Sequence, residues 1–363
     1  MKKIISLMLA LAAILSLFSC GGKKYAPVES TEEEKTVIAT VSYGGDEYEI
    51  KYELYRALFL NFREEFDGGD QSFWGKPESA EAKAAINEKI LSYAKDLFAT
   101  IALAKTIGFD AYSKDADDLV YDLIKTSVEG GGNALGYDGD YDAYLASLKE
   151  MNLNYSVQTL LYRYSLAYSE ILTYYAGDLD PDNPLPGASA GFLKYTREDV
   201  EAFYYGDDSV RVSVIEMNAE YIPVARIQEI RDEIAKYQNV TGALNYAIGH
   251  TSGDPDDILN GVVIGTFSLD SAYYADVTEA AMALSVGETS QPINVVAENE
   301  NKYWILYAQQ KDAEYFNEFY SEIESVYKSQ KIGEMLDEVK NGFSEPSYTD
   351  AFASLVYSDI SMN

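Results

Sequence analysis

The side chains that could do chemistry in this chain are few. There is one cysteine, Cys20, and one histidine, His250, in 363 residues. A lone histidine rules out any mechanism that needs two imidazoles. His250 sits beside a Gly-rich turn and reads as a surface or structural residue. Gly187-Ala188-Ser189-Ala190-Gly191 has the spacing of a nucleophile elbow, but such an elbow must lie between a strand and a helix. Here it falls in a loop, 177–194, that holds Pro181, Pro184 and Pro186. Asp138-Gly139-Asp140-Tyr141-Asp142 starts like a calcium loop. Its sixth position is Ala143, not glycine, and its twelfth is Lys149, not glutamate, so it reads as a solvated acidic turn. Asp254-Pro255-Asp256-Asp257 reads as a capped loop. Nothing in these patterns calls for a cofactor or a metal.

The cysteine has a more telling setting. Lys2 and Lys3 precede an apolar run, Ile4 to Leu17, broken only by Ser6 and Ser16. That is a signal peptide, too short and wrongly flanked for a membrane-spanning helix. It ends in Leu17-Phe18-Ser19-Cys20 and is followed by Gly21-Gly22, which resembles a bacterial lipoprotein lipobox. The resemblance implies cleavage before Cys20, lipid attachment to its sulfur, and a protein held outside the cytoplasm on the cell membrane. With Cys20 acylated, no thiol remains for disulfides or for a cysteine metal site.

Charge narrows the partners. The chain carries 28 basic and 60 acidic residues, a formal net charge of -32. Nucleic acid is excluded as a partner, because phosphate binding needs a basic footprint. Adhesion to an anionic bilayer by charge is excluded too, which leaves anchoring to lipid. Tyrosine is abundant, 32 residues, and its apolar ring with a polar tip suits half-buried surfaces.

The elements that must position any site come in two textures. Residues 20–36 are polar and read as a tether. Thr36 to Tyr43 and Glu47 to Tyr52 read as short strands around the Gly44-Gly45 turn. Helices are then expected over Glu53–Phe66, Ser79–Ile107, Lys114–Val128, Asp140–Glu150 and Ser156–Ala176, each with apolar residues three and four apart. Thr196-Arg197-Glu198-Asp199 looks like a capping box opening a helix to Tyr205. After Gly206 the pattern changes. Strands are expected at Ser209–Met217, Gly261–Phe267, Gln291–Val296 and Tyr303–Ala308, with helices at Ala225–Tyr237 and Tyr274–Ala283. A last long helix, Glu314–Val339, precedes a tail. The order of helices, then a mixed unit, then one helix defines an α+β chain.

Three stretches resemble the extracytoplasmic foldases of the SurA and PrsA type. One is the strand, turn and helix of 37–66. The second is the pattern within 140–168, joined to TREDVEAFYY from Thr196. The third is 209–310, where VRVSVIEM resembles a first parvulin strand, GTFSLDSAYYADVTEAAMALSVGETSQPI (265–293) the signature running into a Leu-x-x-Gly-Glu-x-Ser-x-Pro turn, and KYWILYAQQ a closing strand. The resemblance implies a signal peptide at 1–19, a tether at 20–36 and a helical SurA-N-like chaperone domain at 37–206. It implies a parvulin-like (FKBP-like) α+β domain at 209–311, a C-terminal helix at 312–342 returning to the helical domain, and a tail at 343–363.

It also implies a site. Parvulins place histidines on the first and last strands, where this chain has Val214 and Trp304. The acidic or cysteine position falls near Asp254. The apolar cleft residues match Tyr273 and Val277, with Met282 nearby. The resemblance thus implies a foldase that binds unfolded exported proteins through an apolar cleft, with prolyl isomerase activity weak or absent. Rotation about an X-Pro bond meets a barrier of about 18–20 kcal/mol, and without the imidazoles the cleft loses the polar part of its hold on the twisted amide. Two other readings stay open: an active peptidyl-prolyl cis-trans isomerase using Asp254 and a tyrosine, and a solute-binding lipoprotein of a transporter, which would need two α/β lobes with a hinge.

Overall fold

The computed structural model describes residues 24–130, 136–177, 191–237, 239–251, 253, 255–267, 275–297 and 300–362. The fold is mixed helix and sheet in two compact units. The first takes in the chain up to Leu172 and again from Met335; the second is Thr173–Glu334.

The first unit opens on a hairpin, Val37–Tyr43 (β1) and Asp46–Lys51 (β2), turned by Gly44 and Gly45, both at positive φ. Helices Tyr52–Phe62 (α1), Ala80–Thr106 (α2), Lys114–Glu129 (α3), Tyr141–Glu150 (α4) and the greater part of Tyr155–Ala176 (α5) follow. Of the three-four spacing read from the sequence, Ile86, Ile90, Leu97, Ile101 and Ala104 lie on the buried face of α2 beside Ala94, whereas Tyr93 is half-buried and Ala85 exposed. Ser113 and Asp140 cap α3 and α4, each accepting a backbone N–H three residues on.

Two expectations for this unit need correcting. The tether is fixed from Lys24 onward, and the Tyr25 ring is buried. The tail holds a strand, Ser347–Tyr348, which pairs antiparallel with β1 to give the order β2-β1-tail strand. Thr349 Oγ1 also donates to Val37 O at 2.7 Å. Beyond it the Tyr357 ring stacks on buried Trp74, 6.1 Å between centroids, and its hydroxyl accepts from Asn87 Nδ2 at 2.7 Å.

Polar groups inside this unit are held in place. The Glu53 carboxylate is buried and accepts from Asn154 Nδ2 at 2.9 Å, Ser156 Oγ at 2.7 Å and the Ser30 hydroxyl. Glu34 accepts from Arg56 at 2.6 Å, from Asn154 at 3.2 Å and from the Thr31 backbone N–H at 2.8 Å. Burial alone would raise the Glu34 pKa; these three donors outweigh it and bring it down to about 2.

The second unit is a four-stranded antiparallel sheet clad by helices. Its strands are Ser209–Asn218 (β3), Val262–Gly265 (β4), Ile293–Ala297 (β5) and Glu300–Gln309 (β6), in the order β4-β3-β6-β5. Arg197–Tyr205 (α6) precedes the sheet. The capping box expected there is present: Asp199 N–H donates to Thr196 Oγ1 and Thr196 N–H to Asp199 Oδ2. Although the sequence groups α6 with the helical residues 37–206, its Val200, Phe203 and Tyr204 pack with Tyr315, Phe316, Ile323 and Tyr327 in the second unit.

The final helix, expected to be continuous, is two: Ala313–Glu318 (α11) and Tyr320–Asn341 (α12), broken at Phe319. Neither Gly nor Pro marks the break. Ring packing accompanies it, with Tyr204 against Phe316 at 5.4 Å and Tyr320 edge-on to Phe316 at 5.6 Å. Gln330 of α12 accepts from Thr266 Oγ1 and the Phe267 N–H, tying the chain just past edge strand β4.

Candidate functional site

Strand β3 is central, so both of its faces are covered, and its alternation decides which residue serves which face. Ile215 and Met217 point into a core with Ile227, Ile230 and Ile234 of Val224–Ile234 (α7), Ala243, Leu244 and Ala247 of Val240–Ile248 (α8), and Ile258 of Pro255–Asn260 (α9). On the same face Ser213 donates to Ile258 O at 2.6 Å and accepts from Gln309 Nε2. Arg211 clips the loop ends by donating to Asn260 O, Gln310 O and the Asp312 carboxylate, with its guanidinium 3.8 Å from the centroid of the Tyr315 ring. These polar residues are structural.

The opposite face is the candidate site. Val212, Leu306 and Val295 pack under Val277 and Ala281 of Ala275–Met282 (α10), joined by Val214, Ile264, Ile293 and Trp304. Burial falls off along this face. Val212 and Leu306 are fully buried, whereas Val214, Glu216 and Trp304 are half-buried. The cover over this apolar face therefore thins toward its Val214 and Trp304 end. The register fixes the neighbours: Val214 lies opposite Leu306, Glu216 opposite Trp304, and Trp304 in turn opposite Ile293.

Among the described residues, charged groups border this face at one corner. Trp304 Nε1 donates to Glu216 Oε2 at 3.4 Å, and Lys302 Nζ lies 3.2 Å from Glu216 Oε1. Thr251 Oγ1 donates to Glu216 O at 2.9 Å, so the segment leading to α9 passes along this corner.

The turn that delivers β5 to the sheet edge explains the Leu284-to-Pro292 signature. Gly287 adopts φ +87° and exchanges backbone hydrogen bonds that join 287–288 to Ala308. Ser290 Oγ accepts from Leu306 N–H at 2.9 Å, so its hydroxyl stands in for a missing strand carbonyl. Arg231 of α7 donates to Ser290 O at 2.9 Å and Thr289 O at 3.0 Å, fixing the turn from the other side.

The structure thus brings Val214, Val277 and Trp304 together on one face. Met282 is half-buried on α10 but is not part of that cluster, being about 100° round the helix from Ala281. Cys20, Asp254 and Tyr273 lie outside the described residues. Glu216 and Lys302 are the site residues that sequence reasoning missed. The signal was there in the strand period: Glu216 is two residues beyond Val214, and Lys302 two before Trp304, so each shares its neighbour's face. Among the described residues no group of acidic, histidine and cysteine side chains is arranged to hold a metal ion.

A helical unit and a unit built on a four-stranded antiparallel sheet make the class that of an α+β chain. Solved structures similar to it include PrsA proteins from three bacteria. The foldase protein PrsA from Streptococcus pneumoniae shares 18% identity over 76% of this chain and 91% of that one, with a TM-score of 0.28. PrsA from Bacillus subtilis shares 15% over 85% and 91%, TM-score 0.24, and the foldase protein PrsA from Lactococcus lactis 13% over 89% and 99%, TM-score 0.24. No family model matches the chain, and no curated protein does.

Proposed function

We propose that the chain is a lipid-anchored extracytoplasmic foldase that holds unfolded exported proteins, through the helical unit and through the apolar face of the sheet unit, and that its prolyl isomerase activity is weak or absent. One observation carries the second half of this reading. Where two imidazoles would flank a twisting amide, this face presents the hydrocarbon of Val214 and the indole of Trp304, whose N–H is directed at Glu216. An isomerase must favour the twisted amide over both planar forms. An apolar face supplies desolvation, but fixed polar donors supply the larger share, and each 1.36 kcal/mol forgone costs about tenfold in rate. Binding, by contrast, needs only the apolar surface: reversible burial of client side chains without an energy source.

The corner of Glu216 and Lys302 is what keeps an active isomerase as the second reading, since it sets charged groups beside the apolar face. Both sheets are antiparallel among the described residues, which speaks against the paired α/β lobes of a solute-binding protein. No helix among the described residues is long and apolar enough to cross a membrane. Anchoring therefore rests on Cys20 in this reading.

One sample decides between the readings. The full chain should suppress aggregation of an unfolded secreted protein and leave proline-limited refolding close to its uncatalysed rate. Trp304→Ala should weaken client binding by about tenfold, as loss of a central aromatic anchor does. Strong acceleration of refolding, abolished by Glu216→Gln, would establish the isomerase instead; failure to suppress aggregation would overturn the chaperone reading.

A further inference from the structure

Lys24 and Tyr25 are fastened to the helical unit. Tyr25 is 3% exposed. Its hydroxyl donates to Glu129 Oε1 at 2.9 Å, and its backbone N–H donates to the Tyr121 hydroxyl at 3.3 Å. The ring lies 5.3 Å from that of Tyr141, whose own hydroxyl donates to Ala26 O at 2.7 Å. Lys24 Nζ pairs with Glu129 at 3.3 Å. Gly139 closes the cradle: a Cβ there would stand 3.7 Å from both Lys24 Nζ and the Tyr25 hydroxyl. One aromatic ring, one carboxylate and two tyrosine hydroxyls thus hold three consecutive residues, Lys24 to Ala26, between α3 and the start of α4.

Distance gives this its meaning. Four residues from Cys20 to Lys24 reach roughly 14 Å at full extension, whereas a tether free to residue 36 would reach roughly 55 Å. We infer that Tyr25 is a mooring point, which keeps the α3–α4 end of the helical unit next to a lipid surface when Cys20 is acylated. The inference rests on the acylation proposed above. The end so held carries the exposed acids Asp138, Asp140 and Asp142, so the short leash, not charge attraction, brings it to the bilayer. The rest of the helical unit is thereby given a defined orientation toward arriving clients.

Energy transfer tests this on the full acylated chain in phosphatidylcholine vesicles that carry rhodamine-labelled headgroups. A donor dye is placed on Asp142→Cys, since acylation blocks Cys20. Transfer should fall about twofold on Tyr25→Ala, and to a similar degree when about ten Gly and Ser residues are inserted between Gly22 and Lys23. The insertion lengthens the leash with Tyr25 still docked, so its result does not depend on how well the Tyr25 variant folds. Flotation of the same samples separates the two claims. Protein that floats with unchanged transfer on insertion overturns the mooring alone; protein that does not float overturns the acylation as well.

Discussion

At the scale of single residues, the half-covered end of the second unit's sheet mixes apolar and charged groups: Val214 and Trp304 lie on one face, and Glu216 engages the indole N–H. Elsewhere a single carboxylate carries a measurable load. The Glu34 pKa is depressed to about 2 because the Thr31 N–H, Arg56 and Asn154 outweigh burial. A depressed carboxylate stabilises the fold fully above its unfolded pKa near 4.5 and loses that contribution as pH falls toward 2. Urea denaturation of the parent should therefore show stability dropping across that window. Glu34→Gln should be less stable at neutral pH, with a flatter profile between pH 4.5 and 2; an unchanged slope would mean that Glu34 is not the group responsible.

At the scale of elements, a glycine in α12 sets a sign. In a helix interior, Gly→Ala normally stabilises by about 1 kcal/mol. At Gly333 an added Cβ would fall 2.1 Å from Phe267 Cγ, so the ring occupies the space the glycine leaves. Gly333→Ala should destabilise the second unit by about 1–3 kcal/mol, and the added change Phe267→Ala should relieve the clash. Denaturant titrations of the two variants check both steps; stabilisation by Gly333→Ala alone would show that the ring does not sit there.

Much at the element scale was legible beforehand. VRVSVIEM read as a strand and is β3, the Thr196–Asp199 spacing marked a capping box that forms with both bonds, and most of the three-four spacing of α2 lies on its buried face. What escaped were features with no period of their own. A two-residue strand, Ser347–Tyr348, is too short to alternate. Helix α8 is brief and contains Gly242. The break at Phe319 has no Gly or Pro and accompanies ring packing with partners more than a hundred residues away. Tyr25 looked like part of a polar linker because its pocket is assembled from residues 121, 129 and 141. Val214, Val277 and Trp304 do share one apolar face; Glu216 and Lys302 escaped because each lies one strand period from the positions that the resemblance marks.

At the scale of the whole molecule, the two ends of the chain complete one unit. The tail strand pairs with β1, Tyr357 stacks on Trp74, and Ile360 is buried. Removal of residues 344–363 should lower the thermal midpoint of the first unit by several degrees, since loss of even one such packed aromatic costs a few kcal/mol and each kcal/mol is worth about 2–4 °C in a unit of this size. Calorimetry of the truncated chain checks this, and an unchanged first transition would show that the tail is dispensable.

That closure also dictates an order of assembly. A chain made from its N-terminus presents β1 early, yet the partner for one edge of β1 comes only after the whole of the second unit. The second unit, by contrast, is one uninterrupted stretch and has all its strands as soon as Gln309 is made. As the chain is made, the sheet of the second unit is therefore free to form while the earlier residues still wait for their closing strand. The part of the protein translated first is the part that finishes last.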